Sequence, residues 1–281
     1  MELHVIGLVL LAAVLHAGWN ALVKTGEDRV LTMALLLGVT AVAAGAALPF
    51  VTPPAPESWI YLILSVVLHG GYFFFLLQAY RVGDLSHVYP VARGAAPLLV
   101  ALGAAIFAGE VLEPIELIGL VLASLAIASF AFEGGLAALK DPRPFLYGLA
   151  TAAFISSYTV ADGLGVRASG STAGFIAWLF VVDGLPLLVY ALITRRGRIG
   201  PYLRANWKSG LVGGVMCGVA YALIIWALNL GAMAFVSALR ETSVVFAVLI
   251  GSVFLGEPFG GRRIAAAAVV VAGIAVMNLA G

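Results

Sequence analysis

Long runs of apolar residues, separated by short polar segments, make up almost the whole chain. A helix needs about 20 apolar residues to cross a hydrocarbon core of about 30 Å, and the pattern predicts ten such spans. Their predicted bounds are 3–22, 30–50, 59–80, 85–107, 115–132, 145–164, 172–193, 207–229, 233–255 and 264–279. Because the runs are continuous rather than alternating, they predict helices and exclude the strands of a membrane barrel.

The composition agrees with a helical membrane protein and excludes several other classes. Hydrophobic residues make up 63% of the 281 residues and charged residues 10%, against about 45–50% and about 25% in an average soluble domain. So few polar side chains cannot cover a globule in water, which excludes a soluble enzyme and a disordered chain. The net charge of +1 predicts no nucleic-acid partner, whereas contact with membrane lipid is required.

The charges of the loops predict the orientation of the chain. Twelve of the 15 lysine and arginine residues lie in loops that follow odd-numbered spans, and the even-numbered loops hold only Arg167. Since basic loops stay in the cytoplasm, both termini are predicted to lie outside. The first span lacks the basic start of a cleavable signal, and the absence of a targeting segment predicts a bacterial inner membrane.

The sequence contains an internal repeat. Arg93 and Glu110 are 17 residues apart, as are Arg240 and Glu257, and a glycine precedes each glutamate. Two further stretches match at constant offsets, namely Gly70, Ala79 and Gly83 with Gly218, Ala227 and Gly231, and Trp19 and Gly45 with Tyr158 and Gly184. The repeat predicts two halves, residues 1–138 and 139–281, of five spans each.

Five is an odd number, so the second half enters the membrane from the opposite side. We therefore expect an all-α membrane protein in which two inverted five-helix repeats surround a central cavity, an architecture typical of secondary transporters. Two similar halves that face opposite ways have two nearly equivalent arrangements, each open to one side, which is the basis of alternating access.

The pattern resembles the ten-helix EamA-type branch of the drug/metabolite transporter superfamily. The likeness is carried by Trp19-Asn20 with Lys24, by Arg93, Pro97 and Gly109-Glu110, and by Arg240 and Gly256-Glu257-Pro258. It implies a bundle with pseudo-twofold symmetry, a central cavity and transport of small organic solutes such as amino acids, other metabolites or amphiphilic compounds. The resemblance does not specify the substrate.

Two arginines lie inside predicted spans, where an ionisable group costs several kcal/mol on insertion scales. Arg93 is about 12–13 Å into its span at 1.5 Å per residue, and Arg240 has a similar depth in the other half. The repeat brings both towards the central axis. Either they bind an anionic group of the substrate, for which the guanidinium fork is suited, or they form structural ion pairs between helices.

Three other ionisable groups are candidates for coupling or for substrate contact. Asp183 lies midway along the seventh span, where it pairs with an arginine, binds a substrate ammonium or carries a proton. His69, near the centre of the third span, is either a packing residue or a second proton site. Glu241 follows Arg240 directly, so the two side chains diverge by about 100°, and one is expected to line the cavity while the other seals the bundle. Asp162 is a weaker candidate.

Prolines and aromatic residues complete the predicted site. Pro97 removes the hydrogen bond to the carbonyl of Arg93, and Pro90, Pro97 and Pro186 are predicted hinges. The predicted cavity wall contains Trp19, Asn20, Tyr72, Tyr89, Tyr158, Trp178, Tyr221 and Trp226. The alternative for the aromatic members is a role as interfacial anchors. Gly214 and Gly218 are spaced for close helix packing, either within the chain or in a homodimer.

These features predict a secondary transporter that moves a small anionic or zwitterionic metabolite. The alternatives are an exporter of cationic or amphiphilic compounds, a channel or accessory subunit, and a membrane-embedded enzyme. No nucleotide-binding loop or hydrolase motif occurs in the sequence, and the four histidines have no zinc-ligand spacing. We therefore expect no cofactor or metal, and a solute gradient or a coupling ion such as a proton as the energy source.

Overall fold

The computed structural model describes residues 2–82, 85–132, 141–255 and 261–280, and these residues form helices joined by short turns. The helices are α1 (Leu3–Thr25), α2 (Arg29–Ala47), α3 (Trp59–Val82), α4 (Leu85–Ala108), α5 (Pro114–Ser129), α6 (Arg143–Ala168), α7 (Thr172–Thr194), α8 (Ile199–Leu230), α9 (Met233–Arg240), α10 (Ser243–Leu255) and α11 (Gly261–Ala280). The second-half glutamate motif, Gly256-Glu257-Pro258, lies outside the described residues.

The protein is a multi-pass membrane protein. Within the described ranges, seven helices are long and apolar enough to cross a membrane, namely α1–α4 and α6–α8. Two shorter apolar helices lie at 114–129 and 264–278. Large apolar side chains such as Val42, Ile63 and Ile106 are exposed on the outside of the bundle, whereas Arg93 and Arg240 are buried inside it. This distribution suits lipid as the surrounding solvent.

The predicted ninth span, 233–255, is not one continuous helix. It is divided into α9 and α10 by a turn at Glu241 and Thr242, whose amides bond three residues back, to Ala238 and Leu239. The Thr242 hydroxyl donates to the Leu239 carbonyl at 2.7 Å, and such side-chain bonds compete with the regular helix pattern. The eighth span also differs from the prediction, because α8 begins at Ile199 rather than at residue 207. The polar residues before residue 207 lie outside the predicted membrane segment, but they continue the same helix.

Two loops meet at one face of the bundle, which we call the basic face. Asp28, between α1 and α2, caps α2 by accepting from the Val30 and Leu31 amides. Its second oxygen accepts from Arg195 Nε at 3.0 Å and Arg198 Nη1 at 3.1 Å, both between α7 and α8. Burial disfavours the charged carboxylate, but the hydrogen bonds from Arg195 and Leu31 outweigh it, so the pKa of Asp28 is lowered. The α2–α3 and α6–α7 loops meet at the opposite face, where the Ala55 amide donates to the Ser169 carbonyl.

Helices from the two halves pack in matched pairs. In the predicted repeat, α1, α3 and α4 correspond to α6, α8 and α9–α10. The contact of α3 with α6 therefore corresponds to that of α8 with α1, and the contact of α4 with α6 corresponds to that of α10 with α1. Helices α2 and α7 pack on each other, as do α5 and α11. At the last of these contacts Gly119 and Gly273 each lie close to the other's carbonyl oxygen, so that a Cβ on either would come within 2.6 Å of it.

Gly214 and Gly218 of α8 pack inside the chain rather than forming a free dimer face. A Cβ on Gly214 would lie 2.6 Å from Val39 Cβ and 2.9 Å from the Leu36 carbonyl oxygen. The Thr40 hydroxyl donates to the Gly214 carbonyl at 3.0 Å. This close approach holds α8 against α2.

We expect Gly214→Ala to lower the unfolding temperature of the purified protein, because an extra methyl group in a close-packed contact costs about 1–3 kcal/mol. Gly7→Ala on α1 is the matched control, since nothing lies within 4 Å of the added methyl group. An equal unfolding temperature for the two variants in detergent would contradict the assignment of Gly214 to internal packing.

Candidate functional site

A cavity of about 120 Å³ lies in the middle of the bundle and is lined by α1–α4 and α6–α9. The structure places most of the predicted site residues around it, namely Trp19, Asn20, His69, Tyr89, Arg93, Tyr158, Asp183, Tyr221 and Arg240. His16, Thr40, Thr151 and Cys217 also line the cavity and were not predicted. Their polarity within apolar spans is the signal that identifies them, but it is weak because serine, threonine and cysteine are common in membrane helices.

The cavity lies closer to the basic face than to the opposite face. Met33 and Tyr89 are each four residues from the basic-face ends of α2 and α4, or about 6 Å at 1.5 Å per residue. On the other side, Phe180 and His69 are about 12–15 Å from the ends of α7 and α3. Between them and the opposite face lies the main apolar core, which includes Val9, Leu62, Val100, Phe175, Leu179 and Leu228. The cavity is therefore closed on that side.

Arg93 reaches the cavity but is held by neighbouring side chains. Its Nε lies 2.9 Å from Glu241 Oε2, an ion-pair contact without hydrogen-bond geometry, and its Nη2 donates to Ser243 Oγ at 3.1 Å. Tyr89 lies beneath the guanidinium, with the ring centroid 5.9 Å from Cζ. Two of the three guanidinium nitrogens of Arg93, Nε and Nη2, thus face the turn between α9 and α10.

Arg240 has much of its binding capacity unused. It is 4% exposed, and its Nε and Nη2 have no hydrogen-bond partner among the residues that the structure describes. Its nearest carboxylate oxygen is Glu241 Oε1, at 3.9 Å from Nε, which is too long for a hydrogen bond. A buried guanidinium that faces a cavity without a full set of acceptors is suited to bind an anionic group.

The expectation that Glu241 and Arg240 diverge holds only in part. Glu241 is 1% exposed and lies behind the cavity wall, whereas Arg240 lines the cavity. The two side chains nevertheless approach each other to 3.9 Å, because α9 ends at Arg240 and Glu241 belongs to the turn. The helical angle of about 100° per residue does not apply across that turn.

An aromatic layer lies beside the arginines. The His69 ring stacks on Tyr158 with centroids 3.9 Å apart, and Tyr72 and Tyr221 approach Tyr158 edge-on at 5.9 and 6.3 Å. Phe180 stacks on Tyr221 at 6.2 Å. These rings give the cavity a largely apolar wall with a few polar groups, as in pockets for small organic molecules.

Carboxylates lie on the other side of this layer. Asp183 Oδ1 is 3.4 Å from His69 Nδ1, and Asp183 lines the cavity. Asp162 is fully buried and accepts a hydrogen bond from the Tyr221 hydroxyl. The expectation of an arginine partner for Asp183 is wrong within the described residues, because the basic side chain near it is the imidazole of His69.

Trp178 is not part of the cavity wall. It is only six residues into α7 and packs edge-on against Trp59, with ring centroids 5.1 Å apart. Trp226 is 45% exposed and is also absent from the lining. Trp178 is six residues and Trp226 four residues from the opposite-face ends of their helices, so both lie near the closed end of the cavity without lining it.

The three predicted hinges lie within continuous helices. Pro90 and Pro97 are inside α4, and Pro186 is inside α7. Gly109, at the end of α4, has a φ of 68°, a left-handed conformation that ends a helix readily only when the residue is glycine. This turn directs the next residue, Glu110, towards the start of α9.

Glu110 and Arg167 form a polar network at the opposite face, which we call the clasp. Arg167 Nη1 lies 2.5 Å from Glu110 Oε1, and its other nitrogens donate to the Leu228 and Gly231 carbonyls. Glu110 Oε2 accepts from the Met233 amide at 2.7 Å. The clasp joins the ends of α4, α6, α8 and α9 above the apolar core.

We expect Arg167→Gln to loosen the opposite face, because the glutamine cannot reproduce the ion pair or span both carbonyls. Cys217, the one cysteine of the chain, lines the cavity and reports access. A membrane-impermeant thiol reagent added from the opposite face should label Cys217 faster in this variant than in the wild type. Arg143→Gln, at the other end of α6, is the matched control, and Cys217→Ser gives the background. Equal labelling from that face in all variants would contradict a closing role for the clasp.

Comparison with known proteins relates this arrangement to a family. The sequence profile of the EamA-like transporter family matches residues 143–279, which span α6 to α10 and most of α11. A solved structure titled only "Crystal structure of protein" superposes with a TM-score of 0.76 at 19% identity, covering 100% of this chain and 98% of that chain. At this identity the likeness shows a shared fold. A search of curated proteins found no match.

Proposed function

Since residues 143–279 match the EamA-like transporter family, we propose that the chain is a secondary transporter that moves a small anionic or zwitterionic metabolite by alternating access. The observation that carries the proposal is Arg240, whose Nε and Nη2 are buried and unpartnered within the described residues at the wall of a closed-ended cavity. We also propose that the membrane is a bacterial inner membrane, with the basic face in the cytoplasm and both termini outside.

Inverted repeats provide two equivalent conformations for alternating access, and we propose that residues 1–138 and 139–281 are such repeats. The matched helix pairs support this, because exchange of the two halves turns each contact into its partner contact. Arg93 and Arg240, which occupy equivalent positions in the sequence repeat, both reach one cavity. The break between α9 and α10 at membrane depth is of the kind found where transporters bind solutes. In this conformation the cavity faces the cytoplasm.

The charges of the cavity favour a carboxylate-bearing solute over the cationic compounds considered as an alternative. Arg93 is neutralised by Glu241, which leaves Arg240 to bind an anion, and Asp183 lies beyond the aromatic layer in a position suited to an ammonium group. The volume of about 120 Å³ is below the range of about 300–1,000 Å³ typical of pockets for drug-sized ligands. A small metabolite fits these properties better than a multidrug-type amphiphile.

A thermal-shift screen of the purified protein tests the substrate class. The panel contains small amino acids, organic acids and phosphonates, each paired with a neutral amide or ester analogue, together with cationic amphiphiles. We expect stabilisation by one or more anionic members and not by their neutral partners. The solute found is then tested for saturable counterflow in proteoliposomes, where flux that does not saturate would indicate a channel. Stabilisation by the cationic amphiphiles alone would overturn the substrate class.

A further inference from the structure

A chain of proton-exchanging side chains runs from the cavity into the closed side of the bundle. His69 Nδ1 lies 3.4 Å from Asp183 Oδ1 and 3.2 Å from Ser65 Oγ. Asp162 lies within electrostatic reach of His69 and Ser65, and the Tyr221 hydroxyl donates to Asp162 Oδ2. Four helices, α3, α6, α7 and α8, contribute to this cluster, so its assembly is a property of the fold.

The cluster has a direction across the membrane. His69 and Asp183 line the cavity and are about 15–16 Å from the opposite-face ends of their helices at 1.5 Å per residue. Ser65 and Asp162 are each six residues, or about 9 Å, from the corresponding ends of α3 and α6. Asp162 has 0% exposure and is not part of the cavity lining. Passing from Asp183 to Asp162 therefore leads away from the cavity towards the closed face.

Both carboxylates have an oxygen that lacks a donor. Asp162 Oδ1 and Asp183 Oδ1 are buried and have no hydrogen-bond partner within the described part of the chain. An ionised carboxylate in this condition is costly in a medium of low polarity, and a bound proton removes that cost. The described residues contain no group of three or more His, Cys, Asp and Glu arranged to hold a metal ion, so the unpartnered oxygens favour a proton as the ligand.

Charged and titratable side chains on α3, α4, α6, α7, α8 and α9 surround the cluster. Asp162 and Asp183 interact electrostatically with His69 and with each other. The other titratable neighbours are Tyr158 of α6 and Cys217 and Tyr221 of α8. Arg93 of α4 and Arg240 of α9 interact electrostatically with Tyr158. Tyr158 stacks on His69 and lies within electrostatic reach of both arginines and both aspartates. It thus connects the cluster to the anion site.

We propose that Asp183, His69, Ser65 and Asp162 form a proton-binding relay that couples transport to a proton gradient. A proton from the cavity binds the Asp183 carboxylate, whose Oδ1 lacks a donor, and the Asp162 carboxylate, deeper in the bundle, is the second acceptor. His69 lies between the two, and its Nδ1 is 3.0 Å from the Ser65 carbonyl oxygen, which can only accept, so Nδ1 is a donor within the cluster. Release of the proton from Asp162 to the opposite face, when that face opens, completes the transfer of one proton. This relay rests on the proposed function but uses none of the anion-binding groups.

The test measures proton binding without any solute, so its result does not depend on the substrate. Proteoliposomes adsorbed on a solid-supported electrode are exposed to a sudden change of pH, and the displaced charge is recorded. We expect a transient current for the wild type and its loss to the level of protein-free liposomes in His69→Gln and Asp162→Asn. Asp141→Asn is the matched control, because this carboxylate lies in the exposed turn before α6, paired with Arg143, and its current should equal that of the wild type.

A second measurement covers the case in which a relay variant does not fold. Infrared spectra of the wild type should contain a carbonyl band of a protonated, buried carboxyl group that disappears as the pH rises, and Asp183→Asn or Asp162→Asn should remove part of it. Unchanged currents in well-folded His69→Gln and Asp162→Asn would overturn the relay. A current elicited by a sodium step and not by a pH step would overturn the proton as the coupling ion. Loss of solute counterflow with an intact pH response would instead overturn the proposed substrate site alone.

Discussion

Arg240→Ala should bind the transported solute about 30- to 5,000-fold more weakly than the wild type. Truncation of one partner of a buried, hydrogen-bonded charge pair costs about 2–5 kcal/mol, which corresponds to a change of this size in Kd. The loss arises because the variant leaves the anionic group of the solute without the guanidinium nitrogens that lack partners in the present structure. Counterflow at low solute concentration should fall in parallel, and isothermal titration of the purified protein measures the affinity.

Two comparisons separate anion recognition from a general defect. Arg240→Lys retains the charge but not the planar fork, so its affinity should lie between those of the wild type and the alanine variant. The neutral amide analogue of the solute should bind the wild type and Arg240→Ala equally weakly. The unfolding temperature of Arg240→Ala should fall less than that of Arg93→Ala, because Arg240 lies 3.9 Å from the Glu241 carboxylate and Arg93 lies 2.9 Å from it. Equal affinity of both proteins for the charged solute would show that Arg240 is not its ligand.

Arg93→Ala should instead destabilise the protein by about 3–5 kcal/mol, the usual cost of removing one partner from a buried ion pair. Glu241 is 1% exposed and lies 2.9 Å from Arg93 Nε, so the variant leaves a buried carboxylate without its closest cation. We expect a large drop in the unfolding temperature measured in detergent. Solute binding should weaken as well, because Arg240, at 3.9 Å, is then attracted to the freed carboxylate.

The double variant Arg93→Met/Glu241→Gln shows whether the pair is the cause. It removes both charges and should recover most of the lost stability, since a neutral and well-packed replacement of a buried pair costs little. The exposed pair of Asp141 and Arg143 is the control, and its disruption should change the unfolding temperature only slightly because solvent screens it. A double variant as unstable as Arg93→Ala would indicate that Arg93 stabilises the bundle by some means other than this pair.

Much of the site was predictable because burial of a charge in lipid requires a specific reason. Arg93, Arg240, Asp183 and His69 were identified in this way, and all four line one cavity. Trp178 was predicted in the cavity wall but lies outside the lining, because aromatic residues serve equally as cavity walls and as packing residues and its contact with Trp59 is not visible in the sequence. Asp162 was a weaker candidate, because its neighbours His69 on α3 and Tyr221 on α8 are distant in the sequence.

The different surroundings of the two arginines could not be predicted from the sequence. The repeat gives them equivalent positions, and each was equally suited to bind a substrate or to form an ion pair. The turn at Glu241 and Thr242 breaks this equivalence, since it places the Glu241 carboxylate against Arg93 and leaves Arg240 without a close partner. Helix periodicity cannot predict that result, because the angle between successive residues is fixed only inside a helix.

The sequence by itself determined that the chain is helical and lies in a membrane, because runs of about 20 apolar residues have only one stable solution in lipid, in which each segment satisfies its own backbone hydrogen bonds. It also determined which residues are expensive to bury. The tertiary structure alone decided which of those residues meet, which arginine is already neutralised and which face of the bundle is closed. These outcomes depend on contacts such as those between Arg93 and Glu241, or between Glu110 and Arg167, whose partners are 148 and 57 residues apart in the chain, and no local pattern encodes contacts at such a separation.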